Sequence, residues 1–360
     1  MTTSIAVLGA GKIGRMVAHF LGRTGGYQVR IGDVDGEAAK KLAERVGGGA
    51  TGHQVDFSDA QTLGPVLDGV AAVLSCCPFE CNPFIAEQAV KYDIHYLDLT
   101  EDIETTRQVL TFESKSNKAL IPQCGLAPGF ITITGKHLMK RLDSCESLKL
   151  RVGALPRFPS NMLKYNLTWS TQGLINEYAN PCEVLKNGEL RSVEALQGLE
   201  GLMVDGVEYE AFNTSGGLGS LCRTLQGKVQ NINYKSIRYP GHNNYMRLLM
   251  NELRMADDQK AMCAIFERAL PTTYQDQVVV FVSATGQKYG TYTEYTFART
   301  VQHQTIYNEN WSAIQITTAA GICGVLDLLL EGKLPQKGFV RQEDVDYQQF
   351  ITNRFGQYYA

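Results

Sequence analysis

Short apolar blocks and amphipathic segments alternate along the first 125 residues. Residues 4–8 are continuously apolar and predict a buried strand, and the residues after them carry apolar side chains every three to four positions, as in a helix. The alternation continues with predicted strands at 28–33, 53–57, 70–77, 95–100 and 119–124, and predicted helices at 37–46, 59–67, 83–92 and 101–116. Six strands separated by helices predict an α/β fold with a doubly wound parallel sheet.

Hairpin signals and longer strands replace this pattern after about residue 130. Asn187-Gly188 and Asp205-Gly206 each lie between stretches of alternating polarity, as the two-residue turns of hairpins prefer. The remaining predictions are a hairpin of 277–286 with 291–302, a strand over 165–169, and helices at 171–179, 243–255 and 311–332. These elements predict an α+β second domain with a mixed or antiparallel sheet.

Three glycines directly follow the first predicted strand, in the segment GAGKIG. Gly9 permits a tight turn, Gly11 lets the backbone approach a pyrophosphate, and Gly14 lets the following helix pack close to the strand. The second strand ends at Asp33, about 20 positions after the last of these glycines. Strand, glycines, helix, strand and terminal acid in this order predict a Rossmann dinucleotide-binding domain, with the phosphates at the N-terminus of the first helix.

The acid at the end of the second strand indicates which nicotinamide coenzyme binds. Asp33 should accept hydrogen bonds from the hydroxyls of the adenosine ribose, and a 2′-phosphate would place like charge against it. Val34 and Asp35 supply no cation, and Arg30 should point to the other face of the strand, so we expect NAD rather than NADP. Further coenzyme contacts are expected at the carboxyl ends of the strands and in the first helix, from Lys12, Ile13, Asp56, Ser75, Cys76, Cys77, Pro78, Leu99, Ala127 and Pro128.

The long apolar helix predicted after the last strands is expected to pack back near the first domain. The predicted division is therefore an NAD-binding Rossmann domain at 1–125, with 311–335 packing on it, and a substrate and dimerisation domain at 126–310. We expect a homodimer, because a sheet of the second kind can bury one face and offer the other to a partner.

Length and charge are typical of a soluble globular protein of two domains. The 360 residues exceed one ordinary core, and a net charge of −3 without a long basic run argues against a nucleic-acid or membrane partner. Because no export signal and no membrane-spanning stretch is recognised, we expect a cytoplasmic protein. The nine cysteines are scattered as in a reduced protein, and Cys76, Cys77 and Cys81 lack a second Cys or His pair, so no metal site is expected.

Several segments of the second half are more specific than the glycine pattern. They are CGLAPGF (124–130), RVGALP (151–156), NMLKYNLTWSTQGLINEY (161–178), FNTSGGLGSL (212–221) and YKSIRYPGH (234–242). Together with GAGKIG and HYLDLTED, in order over nearly the whole chain, they resemble the saccharopine dehydrogenase-like family, which includes the saccharopine reductases and the lysine 6-dehydrogenases. The resemblance implies an oxidoreductase of amino-acid metabolism that acts on a C–N bond.

Two departures from the saccharopine reductases favour the other branch of that family. Saccharopine reductases use NADPH, and in them an Arg just after the Trp-Ser pair helps to hold a substrate carboxylate; the matching position here is Gln172. Asp33 also disfavours NADPH, and the RYPGH segment resembles the NAD-using branch. The resemblance therefore implies a lysine 6-dehydrogenase-like enzyme that oxidises the ε-amino carbon of lysine or of a near relative.

Three residues are candidates for the chemistry on the C–N bond, and each has a structural alternative. Asp98, at the end of the fifth strand, could anchor the substrate ammonium and offset iminium charge, or could bond backbone N–H groups. Cys124 matches a cysteine that lines the site of the saccharopine reductases, or is a small buried residue. His242 is the candidate proton carrier because its ordinary pKa lies near neutrality, or is a helix cap.

The substrate carboxylate has one candidate ligand in the second half of the chain. The planar guanidinium of Arg238 matches a carboxylate, although an Arg on a strand is often a solvated ion-pair partner. Further substrate contacts are expected from Asn161, Tyr165, Trp169 and Ser170. Tyr165 and Trp169 share one face of the predicted strand and could instead be core aromatics.

Two other functions stay open at this point. The chain could act on saccharopine or a related N-carboxyalkyl amine. It could also be a non-catalytic NAD-binding sensor or assembly protein, although such a protein needs no polar substrate pocket. Turnover of lysine with NAD, turnover of secondary amines, and coenzyme binding without turnover are the outcomes that separate these three functions.

Overall fold

Strands and helices alternate through the first 130 residues of the computed structural model, which describes residues 2–360. The strands are β1 (Thr3–Leu8), β2 (Tyr27–Asp33), β3 (Thr51–Gln54), β4 (Ala72–Ser75), β5 (His95–Asp98) and β6 (Ala119–Ile121). The helices are α1 (Lys12–Arg23), α2 (Gly36–Val46), α3 (Ala60–Leu67), α4 (Asn82–Lys91) and α5 (Ile103–Leu110). All the elements predicted for this region are present. Several end earlier than predicted, because the apolar or helical pattern of the sequence continues for a few residues past the end of the regular strand or helix.

The rest of the chain contributes eleven strands and seven helices, counted within residues 2–360. The chain continues through α6 (Phe130–Lys140), β7 (Ser144–Pro156), α7 (Thr171–Ala179), β8 (Cys182–Lys186), β9 (Glu189–Val193), β10 (Glu200–Val204), β11 (Val207–Asn213), α8 (Leu221–Leu225), β12 (Asn231–Arg238), α9 (His242–Arg247) and α10 (Gln259–Ala269). It ends with β13 (Asp276–Lys288), β14 (Thr291–Gln302), β15 (Gln304–Ile306), β16 (Glu309–Trp311), α11 (Ala313–Leu330), β17 (Gly338–Phe339) and α12 (Tyr347–Thr352). A π-helical turn follows α9 at Leu248–Glu252, so the helix predicted over 243–255 is shorter and less regular than expected.

The chain divides into two units. The first unit contains the residues up to Phe130 together with Thr317–Ala360, and the second contains Ile131–Ile316. The returning segment thus extends to the C-terminus, whereas the predicted segment ends at residue 335.

A seven-stranded parallel sheet forms the centre of the first unit. Its strand order is β17-β6-β5-β4-β1-β2-β3, so the chain runs outward from β1 to β3 and then crosses to β4. The predicted α/β fold class is confirmed, and the reversal of strand order between β1 and β4 marks the crevice where such sheets bind ligands. The seventh strand, β17, pairs with β6 over only two residues, too few for a recognisable sequence pattern.

Helix α11 is apolar on all sides, in keeping with its place in the interior. By length and composition it could cross a membrane, but 89% of it is buried within the protein, as a core helix is. Within the first unit, a Cβ at Gly321 would lie 2.6 Å from the carbonyl oxygens of Cys124 and Gly125. Glycine at this position therefore lets the helix pack directly on the backbone that follows β6.

The second unit is built on a mixed sheet of eight strands, as predicted. Its main order is β10-β11-β12-β7-β13-β14, with β8 paired to β12 and β9; β7 and β12 run parallel and the other pairs antiparallel. Both predicted two-residue turns are present, and Asn187 and Gly188 have the positive φ values that such a turn requires. The strand predicted over 165–169 is wrong: residues 165–168 are all buried, and one bridge from Leu167 to Thr272 is their only strand-like pairing among residues 2–360.

Candidate coenzyme and substrate sites

The loop between β1 and α1 has the shape of a phosphate cradle. Gly9 has a φ of +98°, and a Cβ there would lie 2.8 Å from the carbonyl oxygen of Cys76. A Cβ at Gly14 would collide with the carbonyl oxygen of Gly9, so the first turn of α1 packs on the loop itself. A Cβ at Gly11 would meet nothing within 4 Å. The fold thus accounts for glycine at positions 9 and 14, and the open space beside Gly11 fits the close approach of a pyrophosphate.

The N-terminus of α1 differs from those of α2, α3 and α5. Gly11 offers no capping side chain, and the first turn of α1 contains no acidic residue. In contrast, Asp35, Asp59 and Asp102 cap α2, α3 and α5 by accepting backbone N–H groups. The partial positive charge at the start of α1 is therefore not met by an acidic cap, which suits the phosphates of a dinucleotide.

Asp33 is held against the glycine loop by backbone hydrogen bonds. Its Oδ2 accepts the N–H of Ala10 at 2.6 Å, and its Oδ1 accepts the N–H of Asp35 at 2.9 Å. The Nε of Arg15 donates to the carbonyl oxygen of Ala10 at 3.1 Å, so both backbone polar groups of Ala10 are held by side chains. Each carboxylate oxygen keeps a further lone pair that a ribose hydroxyl can use. Arg30 points away, because its Nη1 donates to the carbonyl oxygen of Asp68 at 2.6 Å.

The other predicted coenzyme residues differ in accessibility. Lys12, Asp56 and Pro78 are exposed; Ile13, Cys76, Cys77, Leu99 and Ala127 are half-buried; Ser75 and Pro128 are buried. Contact with a ligand through the last two is therefore not supported; Ser75 instead donates to the Oδ1 of Asn82 at 2.7 Å. Burial raises the pKa of Cys76 to about 12, so its thiol stays protonated. Among residues 2–360, no three His, Cys, Asp or Glu side chains are grouped for a metal ion.

Asp98 is sealed inside the first unit, which contradicts its predicted contact with the substrate ammonium. Its side chain is 0% exposed. Oδ1 accepts the N–H groups of Thr100 and Gln123, both at 2.9 Å, and Oδ2 accepts the hydroxyl of Tyr96 at 2.7 Å. Burial raises the pKa of Asp98 above its ordinary value, while these three donors oppose the rise. The carboxylate joins the loops after β5 and β6, which is the structural alternative that the sequence left open.

Cys124 is likewise a structural residue, and its predicted catalytic role is not supported. Its side chain is 0% exposed, and its thiol donates to the carbonyl oxygen of Ile121 at 3.0 Å. The Nε2 of Gln342, from the returning segment, lies 3.1 Å from its Sγ. Burial holds the pKa of Cys124 well above its ordinary value, so no thiolate forms near neutral pH.

A hydrogen-bonded series in the second unit joins two of the predicted residues, Arg238 and His242. The Nε of Arg238 donates to the hydroxyl of Tyr178 at 2.9 Å, and that hydroxyl lies 3.1 Å from the Nε2 of His242. The Nδ1 of His242 lies 2.7 Å from the carbonyl oxygen of Leu163. Because a carbonyl only accepts, Nδ1 carries the proton, and the Tyr178 hydroxyl donates to Nε2 of a neutral imidazole.

His242 is therefore unsuited to the predicted role of proton carrier. It is 1% exposed, and burial, together with the charge of Arg238, lowers its pKa to about 3. An imidazole that stays neutral at physiological pH serves here as a hydrogen-bond partner that orients Tyr178.

The neutral state of His242 predicts a specific loss of stability in acid. The folded-state pKa of about 3 lies below the ordinary value of about 6.5, so the unfolded chain binds a proton that the folded chain does not. The stabilisation is present above about pH 6.5 and declines as the pH falls towards 3. Urea unfolding at pH 7.5 and pH 5 should show a fall of about 2 kcal/mol in the wild type that His242→Asn lacks. Equal falls in the two proteins would contradict a neutral His242.

Arg238 is a buried cation without an ion-pair partner among residues 2–360. It is 3% exposed, and beyond Tyr178 its guanidinium donates only to the carbonyl oxygen of Ile237, at 2.8 Å. Glu210 lies opposite Arg238 in the pairing of β11 with β12, but its oxygens accept the N–H groups of Gly241 and Asn243 at the start of α9. The negative charge of the buried Glu177 acts on this guanidinium, but no ion pair joins the two side chains, so the planar donor array can still bind an anionic ligand.

Aromatic rings surround this guanidinium. Its Cζ lies 5.1 Å from the centre of the Tyr165 ring and 5.7 Å from that of Tyr178. The side chain of Asn161 accepts the N–H of Tyr165 and donates to its carbonyl oxygen, and Trp169 donates to its hydroxyl at 3.2 Å. Asn161 and Trp169 therefore position Tyr165. Ser170 caps α7 by accepting the N–H of Gly173 at 3.1 Å; it is exposed, and its contact with the substrate stays a prediction.

The loop after β5 contains an acid that the sequence does not single out. Glu101 is half-buried, and in the part of the chain that the structure describes its carboxylate receives a hydrogen bond only from its own N–H. Its neighbours on either side are engaged: Thr100 accepts the N–H of Asp102 at 3.1 Å, and Asp102 accepts the N–H of Thr105 at 2.7 Å. The sequence favours Asp98 because it ends the strand, whereas the structure shows Asp98 fully buried and Glu101 only half-buried.

Two family models match consecutive parts of the chain. The saccharopine dehydrogenase NADP binding domain matches residues 5–124, and the saccharopine dehydrogenase C-terminal domain matches residues 125–357. Among curated proteins, a mitochondrial alpha-aminoadipic semialdehyde synthase of Mus musculus is 20% identical over 198 residues, which are 52% of this chain and 21% of that protein. The Arabidopsis thaliana alpha-aminoadipic semialdehyde synthase is 24% identical over 150 residues, 39% of this chain and 14% of that protein. The chain thus spans a small part of these relatives' length.

Solved structures with the same fold cover nearly the whole chain. An apo saccharopine dehydrogenase (L-Glu forming) from Saccharomyces cerevisiae superposes with a TM-score of 0.78 at 15% identity, over 95% of this chain and 94% of that one. A DAP dehydrogenase from C. glutamicum in complex with DAP gives a TM-score of 0.50 at 11% identity, over 99% and 98% of the two chains. At these identities the likeness establishes the fold alone.

Proposed function

Because the chain belongs to the saccharopine dehydrogenase family, we propose that it is an NAD-dependent dehydrogenase that oxidises a C–N bond of an amino acid. The leading substrate is lysine, oxidised at its ε-amino carbon as in the lysine 6-dehydrogenases. The observation that carries the substrate class is Arg238, a buried guanidinium with a planar donor array and no ion pair to a carboxylate among residues 2–360.

Asp33 supports NAD in preference to NADP. The matching family model is named for NADP, so the preference of this chain depends on its own residues. The Asp33 carboxylate lies beside the glycine loop, and Val34 and Asp35 follow it without a cation. A 2′-phosphate there would meet like charge, whereas two ribose hydroxyls would find acceptors.

A bound nicotinamide coenzyme would accept the hydride, and residues of the first unit would hold it in place. The open space at Gly11 and the uncapped N-terminus of α1 fit the pyrophosphate, and Asp33 fits the ribose. The loops after β4 and β5 lie on the opposite side of the crevice from Asp33, where the nicotinamide half of the coenzyme belongs.

A saccharopine-like substrate is the second candidate, favoured by the family itself. Such a substrate carries several carboxylates and needs several cations. In the described residues around Tyr165 and Tyr178, the buried cation is Arg238, while Lys164 is exposed and donates to the carbonyl oxygen of Pro240. One buried guanidinium suits a substrate with one carboxylate, which ranks lysine above saccharopine.

A substrate panel tests this proposal. Purified protein is incubated with lysine, saccharopine or cadaverine, the diamine that lysine would give on losing its carboxylate, each with NAD and with NADP. We expect reduced nicotinamide to form fastest with lysine and NAD, and cadaverine to be poor because Arg238 lacks its anion. Turnover of saccharopine without turnover of lysine would reassign the substrate, and tight NAD binding without turnover of any amine would indicate a non-catalytic sensor.

We also propose a cytosolic homodimer. None of the nine cysteines, all of which lie among residues 2–360, forms a disulfide, which agrees with a reducing compartment. Light scattering coupled to size-exclusion chromatography would measure the mass in solution, and a monomer would reject the dimer.

A further inference from the structure

Ligands of a doubly wound parallel sheet bind at the carboxyl edge of its strands, so a coenzyme and the substrate bond that it oxidises would lie at this edge. The strand order reverses between β1 and β4, so the two halves of a dinucleotide lie on either side of β1. Asp33 marks the adenosine side, at the end of β2. The loop after β5 lies on the other side, and Glu101 is its third residue.

The backbone N–H groups of this loop donate hydrogen bonds to its own side chains, which fixes its conformation. Asp98 accepts the N–H of Thr100, Thr100 accepts the N–H of Asp102, and Asp102 accepts the N–H of Thr105 in the first turn of α5. Each of these polar side chains therefore already accepts a backbone hydrogen bond that stabilises the fold. Glu101 lies between them, half-buried and bonded only to its own N–H within the described chain.

The three catalytic candidates taken from the sequence leave the proton without an acceptor. Asp98 and Cys124 are fully buried and bonded inside the first unit, and His242 is buried and already bonded at both ring nitrogens. An acceptor has to be reachable by the substrate and has to have free lone pairs. Glu101 is partly exposed, and within the described chain its carboxylate accepts no donor but its own N–H.

On the premise of the proposed function, we propose that Glu101 is the catalytic base that removes the proton from the substrate nitrogen. The substrate enters as an ammonium. One N–H bond breaks, the proton forms a new O–H bond on the Glu101 carboxylate, and the nitrogen recovers a lone pair. The C–H bond beside nitrogen then breaks, its hydride leaves to the nicotinamide coenzyme as oxidant, and the lone pair forms the C=N bond of the iminium. Glu101 returns its proton to water.

The surroundings of Glu101 tune it for this exchange. Partial burial, together with the negative charges of Asp102, Asp98 and Glu80, raises its pKa to about 7. Asp98 belongs to β5, Asp102 starts α5, and Glu80 lies in the turn after β4, so acids face Glu101 from each of these neighbouring segments. A base with a pKa near the working pH transfers protons efficiently in both directions.

Two measurements on Glu101→Gln test the role, and only the first depends on turnover. With the best amine of the panel, kcat/KM at pH 8 should fall about 100-fold or more. The decline of wild-type kcat/KM below pH 7 should disappear, while the Kd for NAD stays within twofold. The matched control is Glu104→Gln in the first turn of α5, an exposed acid paired with Arg107 at 3.3 Å, which should leave kcat/KM and its pH profile unchanged.

The second measurement is the infrared difference spectrum of the protein without coenzyme. The spectrum of the wild type minus that of Glu101→Gln should contain the bands of one carboxyl group that protonates near pH 7. A carboxyl group that protonates near pH 4 would contradict a base with a raised pKa. Glu101→Asp, which keeps the acid on a shorter arm, should regain part of the activity and the pH dependence. Unchanged kcat/KM in Glu101→Gln beside an active wild type would overturn the role of Glu101 alone. A wild type inactive on every amine would overturn the proposed function, and this role with it.

Discussion

Replacing Asp33 by alanine should weaken NAD binding by about 10- to 100-fold and leave NADP binding nearly unchanged. Hydrogen bonds from ribose hydroxyls to a carboxylate contribute about 1.5–3 kcal/mol, and this contribution exists only for the coenzyme with a free 2′-hydroxyl. For NADP, loss of the carboxylate also removes a repulsion. Isothermal titration with both coenzymes gives the two dissociation constants and their ratio.

The ratio matters because Asp33 also accepts the N–H of Ala10 in the glycine loop. Loosening that loop should weaken both coenzymes to the same extent, so it changes each Kd but not their ratio. Asp35→Ala is the matched control: this carboxylate caps α2 by accepting the N–H groups of Glu37 and Ala38. Its loss should cost about 1 kcal/mol of stability without altering the preference between coenzymes. An equal fall of both affinities in Asp33→Ala would mean that Asp33 does not read the ribose.

The fold follows from local patterns that a single sequence carries. Continuous apolar runs predict buried parallel strands, three-to-four spacing predicts the helices between them, and Asn187-Gly188 predicts a hairpin; each signal lies within a few residues. The exceptions depend on distant partners. The strand β17 exists because Gly338 and Phe339 meet the edge of β6, and the YNLTW segment is buried without a strand to pair with.

The site was predicted less completely, because accessibility is a property of the whole fold. Asp98 and Glu101 lie three residues apart at the end of one strand, and nothing local distinguishes their chemistry. Packing buries Asp98 completely, where Tyr96 and Gln123 donate to it, and leaves Glu101 only half-buried. In the same way, His242 is neutral because it is buried beside Arg238. The two residues are 4 positions apart in the chain, and both hydrogen-bond the hydroxyl of Tyr178.

Replacing Arg238 by methionine should lower kcat/KM for the amino-acid substrate on the order of 100-fold. Loss of one partner from a buried, hydrogen-bonded charge pair costs about 3 kcal/mol, and methionine keeps the apolar length of the side chain between Tyr165 and Tyr178. This loss of kcat/KM should come only from the missing contact with the substrate carboxylate. The slow turnover of cadaverine should therefore be the same in Arg238→Met and in the wild type, and so should the Kd for NAD. Initial rates with both amines, together with NAD titration, measure all three quantities.

Arg151 is the control that separates binding from folding. It is a second buried arginine of the same sheet, 2% exposed, but its Nε meets a carboxylate oxygen of Glu200 at 2.5 Å, and Glu200 also holds Lys235 at 2.6 Å. Arg151→Met breaks an existing pair and should lower the free energy of unfolding by about 1–3 kcal/mol without changing the preference for lysine over cadaverine. Arg238→Met breaks two hydrogen bonds but no ion pair, so it should lower the free energy of unfolding less than Arg151→Met does. If Arg238→Met instead destabilised the protein as Arg151→Met does, and left the preference for lysine intact, the buried guanidinium would be part of the scaffold and the substrate carboxylate would bind elsewhere.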